Sequence, residues 1–487
     1  MELDKAPIFP HVLIFPFPVQ GHVNSMLKLA ELLSLAAGGG IRITFLNSDC
    51  THNRLLQFSD AESRFSVYPG FQFKTIDDHR IPMEKLTKGD KVLDLVGAME
   101  SEMKPDFRDM LSRMDPPVTC VIGDGLLGFI REVSMELGIP VIRFRTISPC
   151  CFWVNYCLPD LIEAGELPIQ DMDRKISKVP GMESFLRSRD LPGMCRVSGL
   201  DDPTLVMLIN ATRESPPLSP LILNTFEDLD SSVLSQIRRH FPQTYAIGPL
   251  HQHLESRLRT MSFGSQNNIN TQSSSSNSLW KEEASCLKWL DQQPEGSVLY
   301  VNFGSITVMT ADRIVEFWEG LSSSKHRFLW VMRPGLIPDK ELEKIPQEIL
   351  NQKEGFYKVV VGWAPQEEVL NHAAVGGFLT HSGWNSTLES VAAGVPMICW
   401  PFFADQLVNS RVVSEVYNLG LDMKDVCDRK VVERMVNDLM DERKDEFQSL
   451  AAKMAALAKG SVSEGGSSCR NLEVLIQDIR LMSVKGT

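Results

Sequence analysis

The chain has 487 residues, is 43% hydrophobic, and carries a formal net charge of −13 with a pI near 5.4. That length exceeds what one hydrophobic core usually organises and predicts more than one domain. The acidity disfavours nucleic acid and anionic membrane surfaces as partners, and no Lys/Arg block offsets it.

No apolar run reaches the roughly 18 residues of a membrane span. The N-terminal stretch has Glu2 and Asp4 where a signal peptide would be basic. The 10 cysteines lack zinc-ribbon or C-x-x-C spacing and read as reduced, buried thiols. A cytosolic monomer without a membrane span is therefore expected. The sequon at Asn385-Ser386-Thr387 matters only in the secretory pathway.

Residues 11–17 (HVLIFPF) form an apolar run suited to a buried parallel strand. Residues 26–37 have apolar side chains at helical spacing and end at a glycine triplet. Strands are predicted at 41–47, 118–124 and 140–146, with a helix at 131–138 and an aromatic-rich segment at 151–156. The β-α-β rhythm predicts a parallel sheet wrapped by helices. Residues 251–278, Ser/Asn/Gln-rich in their later part, break it and read as a linker. A second alternation follows, with strands at 297–305, 327–333, 356–363, 375–381 and 395–401 and a helix at 312–321. The chain thus divides into an N-terminal domain (1–250), a linker (251–280), a C-terminal domain (281–460) and a terminal helix (461–487). Open α/β sheets bind ligands outside the carboxyl ends of their strands, so a site is expected in a cleft between the domains.

The seam at 376–394, GGFLTHSGWNSTLESVAAG, packs His381, Gly383, Asn385, Ser386 and Glu389 between a strand and a helix. Gly383 suits a sharp turn, and Ser386 with Glu389 fits a capping box. Exposed N–H groups at such a helix start favour a phosphate, with His381 as a further donor. A merely capped helix with an incidental histidine fits this stretch equally well. Its surroundings favour a ligand site. Upstream, Trp363 ends a strand and offers a flat face for a base. Downstream, Asp405 and Gln406 pair a carboxylate with an amide, which suits sugar hydroxyls.

Residues 363–406 resemble the 44-residue signature box of plant secondary-product glycosyltransferases, the family 1 UDP-glycosyltransferases. The resemblance spans nearly the whole chain, including 11–26, 222–230, 245–250 and 301–305. It implies an α/β fold of the GT-B type, two Rossmann-like domains facing across a cleft, with a UDP-sugar donor and a small-molecule acceptor. It also implies site roles. Trp363 would stack on uracil and Ala364 would meet the base edge through its backbone. Gln366 and Glu389 would hold the ribose, giving Glu389 two readings, cap or ligand. His381, Asn385, Ser386 and Ser305 would contact the phosphates. Trp384, Asp405 and Gln406 would contact the sugar, with Thr146 reaching it from the other domain. Gln406 points to glucose. Ser382, where many members have Cys, is a small departure.

A transferase also needs a base. His22 lies between a strand and a helix, and Asp124 ends another strand of the same sheet. Read alone, they are a loop histidine and a helix cap; the family resemblance makes them general base and helper. No cofactor and no metal are expected, and the displacement should invert the anomeric centre, since no carboxylate nucleophile is indicated. The acceptor pocket is expected near His22, 76–82, 144–148, Trp153 and the turn at 180–182, for a lipophilic terpenoid, iridoid or phenolic. Arg80 or Arg145 could pair with an acceptor carboxylate. The competing readings are a nucleotide-sugar-binding protein without turnover and a Rossmann dehydrogenase. The dehydrogenase lacks a G-x-G-x-x-G after the first strand.

Overall fold

Two all-parallel sheets carry the chain in this computed structural model, which describes residues 9–38, 40–83, 92–213, 220–264, 276–346, 349 and 355–485. The first contains β1 (His11–Phe15), β2 (Arg42–Ser48), β3 (Phe71–Ile76), β4 (Cys120–Asp124), β5 (Val141–Arg145), β6 (Leu221–Leu223) and β7 (Thr244–Ala246). Their order is β3-β2-β1-β4-β5-β6-β7. The second contains β8 (Val298–Asn302), β9 (Arg327–Met332), β10 (Tyr357–Val361), β11 (Val375–Thr380), β12 (Met397–Cys399) and β13 (Gly420–Asp422), in the order β10-β9-β8-β11-β12-β13. Both sheets reverse direction beside their first strand. These switch points, β1/β4 and β8/β11, open crevices at the carboxyl ends of the strands.

Fully buried, mostly apolar strands such as β1 and β8 follow from helices covering both faces. One apolar cluster runs through both units. It joins Leu158, Val179 and Leu186 to Val408, Val412 and Tyr417. Polar links cross the same interface: Tyr417 donates to Asp230 at 2.6 Å, and Lys424 to Asp190 at 2.6 Å.

Some elements differ from the sequence expectation. The first helix begins at Gln20, so His22 sits in its first turn. Residues 251–264, expected to open the linker, belong to the helix Leu250–Gly264. Its Leu250, His253 and Leu254 are buried, which gives that turn a packed face. Residues 265–275 of the expected linker lie outside the described residues, as do residues 1–8 of the N-terminal stretch.

The terminal helix Ser467–Lys485 lies on the first sheet. Leu472, Leu475, Ile476 and Ile479 repeat at helical spacing and pack with Val12, Ile14, Cys120 and Ile122. Tyr245 donates to Asp478 at 2.5 Å and Asn471 to the Ala246 carbonyl at 2.9 Å. Leu475→Ala should destabilise the fold by about 2–5 kcal/mol, the range for a fully buried leucine. The denaturation midpoint checks this.

Candidate active site

The two switch points face each other across a cleft of about 2050 Å³. On the first-sheet side, β1 leads into the helix Gln20–Ala36, and β4 ends at Asp124. Phe15 pairs with Gly123 in the ladder, so the residues that follow leave the sheet side by side. His22 Nδ1 lies 2.6 Å from Asp124 Oδ2. That carboxylate also accepts the N–H of Phe17 at 3.1 Å and of Leu126 at 3.0 Å. Burial pushes the Asp124 carboxyl up, but the adjacent imidazole and the two N–H donors outweigh it and hold it below the usual carboxylate range. An ionised Asp124 only accepts, so Nδ1 carries the proton and Nε2 keeps the lone pair. His22 lines the cleft. Thr146, expected at the sugar, lies against the His22 ring, its hydroxyl 3.0 and 3.1 Å from the two nitrogens.

On the opposite side, the helix Trp384–Ala393 starts after β11 with Gly383 as its N-cap and no side-chain cap. The expected capping box is not formed, because the helix begins too early for Ser386 to cap it. Nor is Gly383 the turn residue. Its φ is −60°, while Ser382 takes the left-handed φ of 64°. Glycine is required for space: a Cβ at Gly383 would stand 2.5 Å from His381 Nε2, and one at Gly304 2.4 Å from the same atom. The imidazole is thus clamped between two glycines, and burial with the Arg333 charge pulls its pKa to about 4. It is neutral at physiological pH. Arg333 itself was missed by sequence reasoning. Buried at the end of β9, it donates to the carbonyls of Gly304 and Thr307 and fixes the loop bearing Ser305.

Gln366 organises the next corner. Its amide nitrogen donates to Ser386 at 2.9 Å and Glu389 at 2.7 Å, while its oxygen accepts from Asn302 at 2.8 Å. Burial and the neighbouring Glu367 charge push the Glu389 carboxyl up to about 7. Trp363 lines the cleft; its indole is near-parallel to Trp280, with ring centroids 6.3 Å apart. Ala364, expected at the base edge, is fully buried in the core and does not line the cleft, which corrects that expectation.

Asp405 is also buried, its carboxyl pushed up to about 6, and it accepts from Asn409 at 2.8 Å. The Gln406 oxygen holds the N–H groups of Phe402 and Phe403 at 2.7 and 3.0 Å.

Two residues of the helix start bridge the domains. Trp384 donates its indole N–H to the Asn224 carbonyl at 2.8 Å. Asn385 donates to the Gly21 carbonyl at 2.7 Å and accepts from Ser25 at 2.9 Å. Asn385 therefore touches the turn that carries His22. Lys28 and Glu367 form a further ion pair across the cleft.

Several acceptor-side expectations are corrected. Trp153 is a core residue whose indole donates to the Pro180 carbonyl at 3.0 Å and stacks on Tyr156, ring centroids 5.3 Å apart. Residues 76–82 and 180–182 do not line the cleft, nor does the fully buried Phe144. Arg80 is exposed and paired with Asp106 and Glu102. Of the expected 144–148, Arg145, Thr146 and Ile147 do line the cleft, and further lining comes from residues such as Leu126, Asn155, Met194 and Phe403. Among the described residues, no helix is long and apolar enough to cross a membrane.

Residues 268–451 match the family model "UDP-glucoronosyl and UDP-glucosyl transferase". The 7-deoxyloganetic acid glucosyltransferase of Catharanthus roseus is 52% identical over 99% of this chain and 100% of its own. The myricetin 3-O-rhamnoside 1,2-glucosyltransferase of Crocosmia x crocosmiiflora is 43% identical over 97% of this chain and 96% of its own. Among solved structures, an indoxyl-glucosylating UDP-glucosyltransferase of Polygonum tinctorium superposes with a TM-score of 0.77 at 27% identity, covering 98% of this chain and 99% of that one. Two Rossmann-like domains in the GT-B arrangement, a clamped helix start facing a His–Asp pair, and near full-length identity of 52% have one reading. The chain belongs to the plant family of UDP-glycosyltransferases and is an enzyme that transfers a hexose from a UDP-sugar.

Proposed function

We propose that the chain transfers glucose from UDP-glucose to a hydroxyl of a small terpenoid, most closely an iridoid, with inversion at the anomeric carbon. The observation that carries this is the His22–Asp124 pair, joined at 2.6 Å and lining the cleft opposite the helix start at Trp384. His22 Nε2 takes the acceptor proton as the acceptor oxygen bonds to the anomeric carbon. The bond from that carbon to the β-phosphate oxygen breaks, and the electron pair leaves on UDP. Asp124 stabilises the imidazolium formed. The helix start at 384–386, neutral His381 and Ser305 receive the departing phosphate charge, so no metal ion is required. Trp363 stacks on uracil, Gln366 and Glu389 hold the ribose, and Trp384, Asp405 and Gln406 orient the glucose. The anionic surface and the reduced thiols favour the cytosol.

Similarity to the 7-deoxyloganetic acid enzyme supports the iridoid class. The flavonoid rhamnoside enzyme, at 43%, supports a phenolic acceptor as the second reading. The test is UDP release from UDP-glucose with iridoid, other terpenoid and phenolic acceptors, with and without EDTA. Acceptor-dependent release led by the iridoids and indifferent to EDTA is expected. Release led by phenolics would move the acceptor class, and a divalent-ion requirement would remove the helix-start account of leaving-group stabilisation.

The Glu389 carboxyl gives a pH prediction. Its ionised form is the one that accepts two ribose hydroxyls, and it loses its proton near pH 7. UDP affinity should therefore rise from pH 6 to pH 8, and Glu389→Gln should flatten that slope. Calorimetric titration with UDP at the two pH values reads it.

A further inference from the structure

Arg145, at the carboxyl end of β5 on the first sheet, lines the cleft. It follows Phe144, the ladder partner of Asp124, on β5 and is 2% exposed. Its guanidinium makes one hydrogen bond, Nη1–H to the Gly125 carbonyl at 2.7 Å. Its charge lies 5.5 Å from the centre of the Phe152 ring. Gly125 is what lets it lie there: a Cβ at that position would stand 2.3 Å from Arg145 Cδ.

No carboxylate among the described residues is in ion-pair contact with this guanidinium. Asp124 and Asp405 attract it from a distance. Asp124 is bound to His22, Phe17 and Leu126, and Asp405 to Asn409. The cleft lining also includes the apolar side chains of Leu126, Ile147, Met194, Leu208 and Phe403. A buried cation whose remaining donors meet no anion is unfavourable. The planar fork of Nε and Nη2 matches a carboxylate.

We propose that Arg145 binds a carboxylate of the acceptor and makes the enzyme selective for small lipophilic acids over their neutral esters. This deepens the proposed function and rests on its acceptor side. The carboxylate would anchor one end of the acceptor while the hydroxyl to be glucosylated meets His22. Arg145 is thus a specificity residue, and it takes no proton.

The experiment compares kcat/KM for 7-deoxyloganetic acid with that for its methyl ester, and for 4-hydroxybenzoate with that for its methyl ester. The wild-type protein should prefer the acid in each pair that turns over, by about 10- to 100-fold, the range for a hydrogen bond to a charged group. Arg145→Met should collapse that ratio, mainly through the KM of the acid, and Arg145→Lys should restore part of it. Gly125→Ala retains the arginine but displaces it, and should lower the ratio too. Equal efficiency on acid and ester in the wild type, or a ratio unmoved by Arg145→Met, overturns the inference. Turnover of the benzoate pair alone, with an acid preference, removes the iridoid class and leaves the Arg145 role standing. Turnover of both iridoids at equal efficiency does the reverse. Neither wild-type comparison depends on a variant folding.

Discussion

His22→Ala should lower turnover by about 10²–10⁴-fold, the usual contribution of a positioned general base. UDP-glucose affinity should change little, because His22 stands on the opposite side of the cleft from the clamped helix start. Asp124→Asn should lose much of the same rate for a different reason. An amide can present its NH2 to Nδ1 and favour the wrong tautomer, placing the proton on Nε2. The His22→Ala and Asp124→Asn losses should therefore be non-additive. Steady-state kinetics on the two single variants and the double variant, with donor binding measured separately, check both points. Loss of donor affinity in His22→Ala equal to the loss of rate would place the histidine in binding and not in proton transfer.

Gly383→Ala should weaken UDP-glucose binding by about tenfold or more, equivalent to ~1.4 kcal/mol. The added methyl would stand 2.5 Å from His381 Nε2, so the ring must move, and with it the donor set around the phosphates. The backbone is not at fault, since φ is −60° and any residue accepts it. Removing the obstacle should therefore rescue the loss. Adding His381→Ala to Gly383→Ala should cost no more than His381→Ala alone. Gly304→Ala offers the contrast. It has the same collision at 2.4 Å but also a φ of 74°, so His381→Ala should rescue it only in part. A donor-binding titration of these variants reads the pattern.

The sequence made the larger plan legible because its signals are periodic. Buried parallel strands such as 11–15 and 298–302 are mostly apolar runs, and helix spacing marks 26–37. The short strands Leu221–Leu223, Thr244–Ala246 and Gly420–Asp422 escaped, because three residues carry no period; Met397–Cys399 is as short but is marked by the longer run at 395–401. The helix Leu250–Gly264 escaped because its polar composition resembles the low-complexity run after it. At the site, the residue types were legible but some of their reasons were not. Gly383 reads as a turn glycine; only the packed histidine reveals that it makes room. Ser386 and Glu389 have the spacing of a capping box, yet the helix starts two residues before Ser386, and Gln366 binds both side chains instead. Trp153 looks like an acceptor wall until its indole is found bonded to Pro180. Arg333 carries no motif at all, and Arg145 reads only as one of two arginines that could pair with an acceptor carboxylate. Their importance comes from burial, which depends on strands far apart in the chain.

Single displacement by a base-activated hydroxyl is the centre of this account, and its product has a defined stereochemistry. The most direct measurement is the anomeric configuration of the glucoside formed from UDP-glucose, read from the proton coupling between the first two sugar carbons. A β-glucoside, inverted from the α-linked donor, is the result expected of His22 acting as base. An α-glucoside would require a covalent or same-face mechanism that the His22–Asp124 pair does not supply, and would contradict the account.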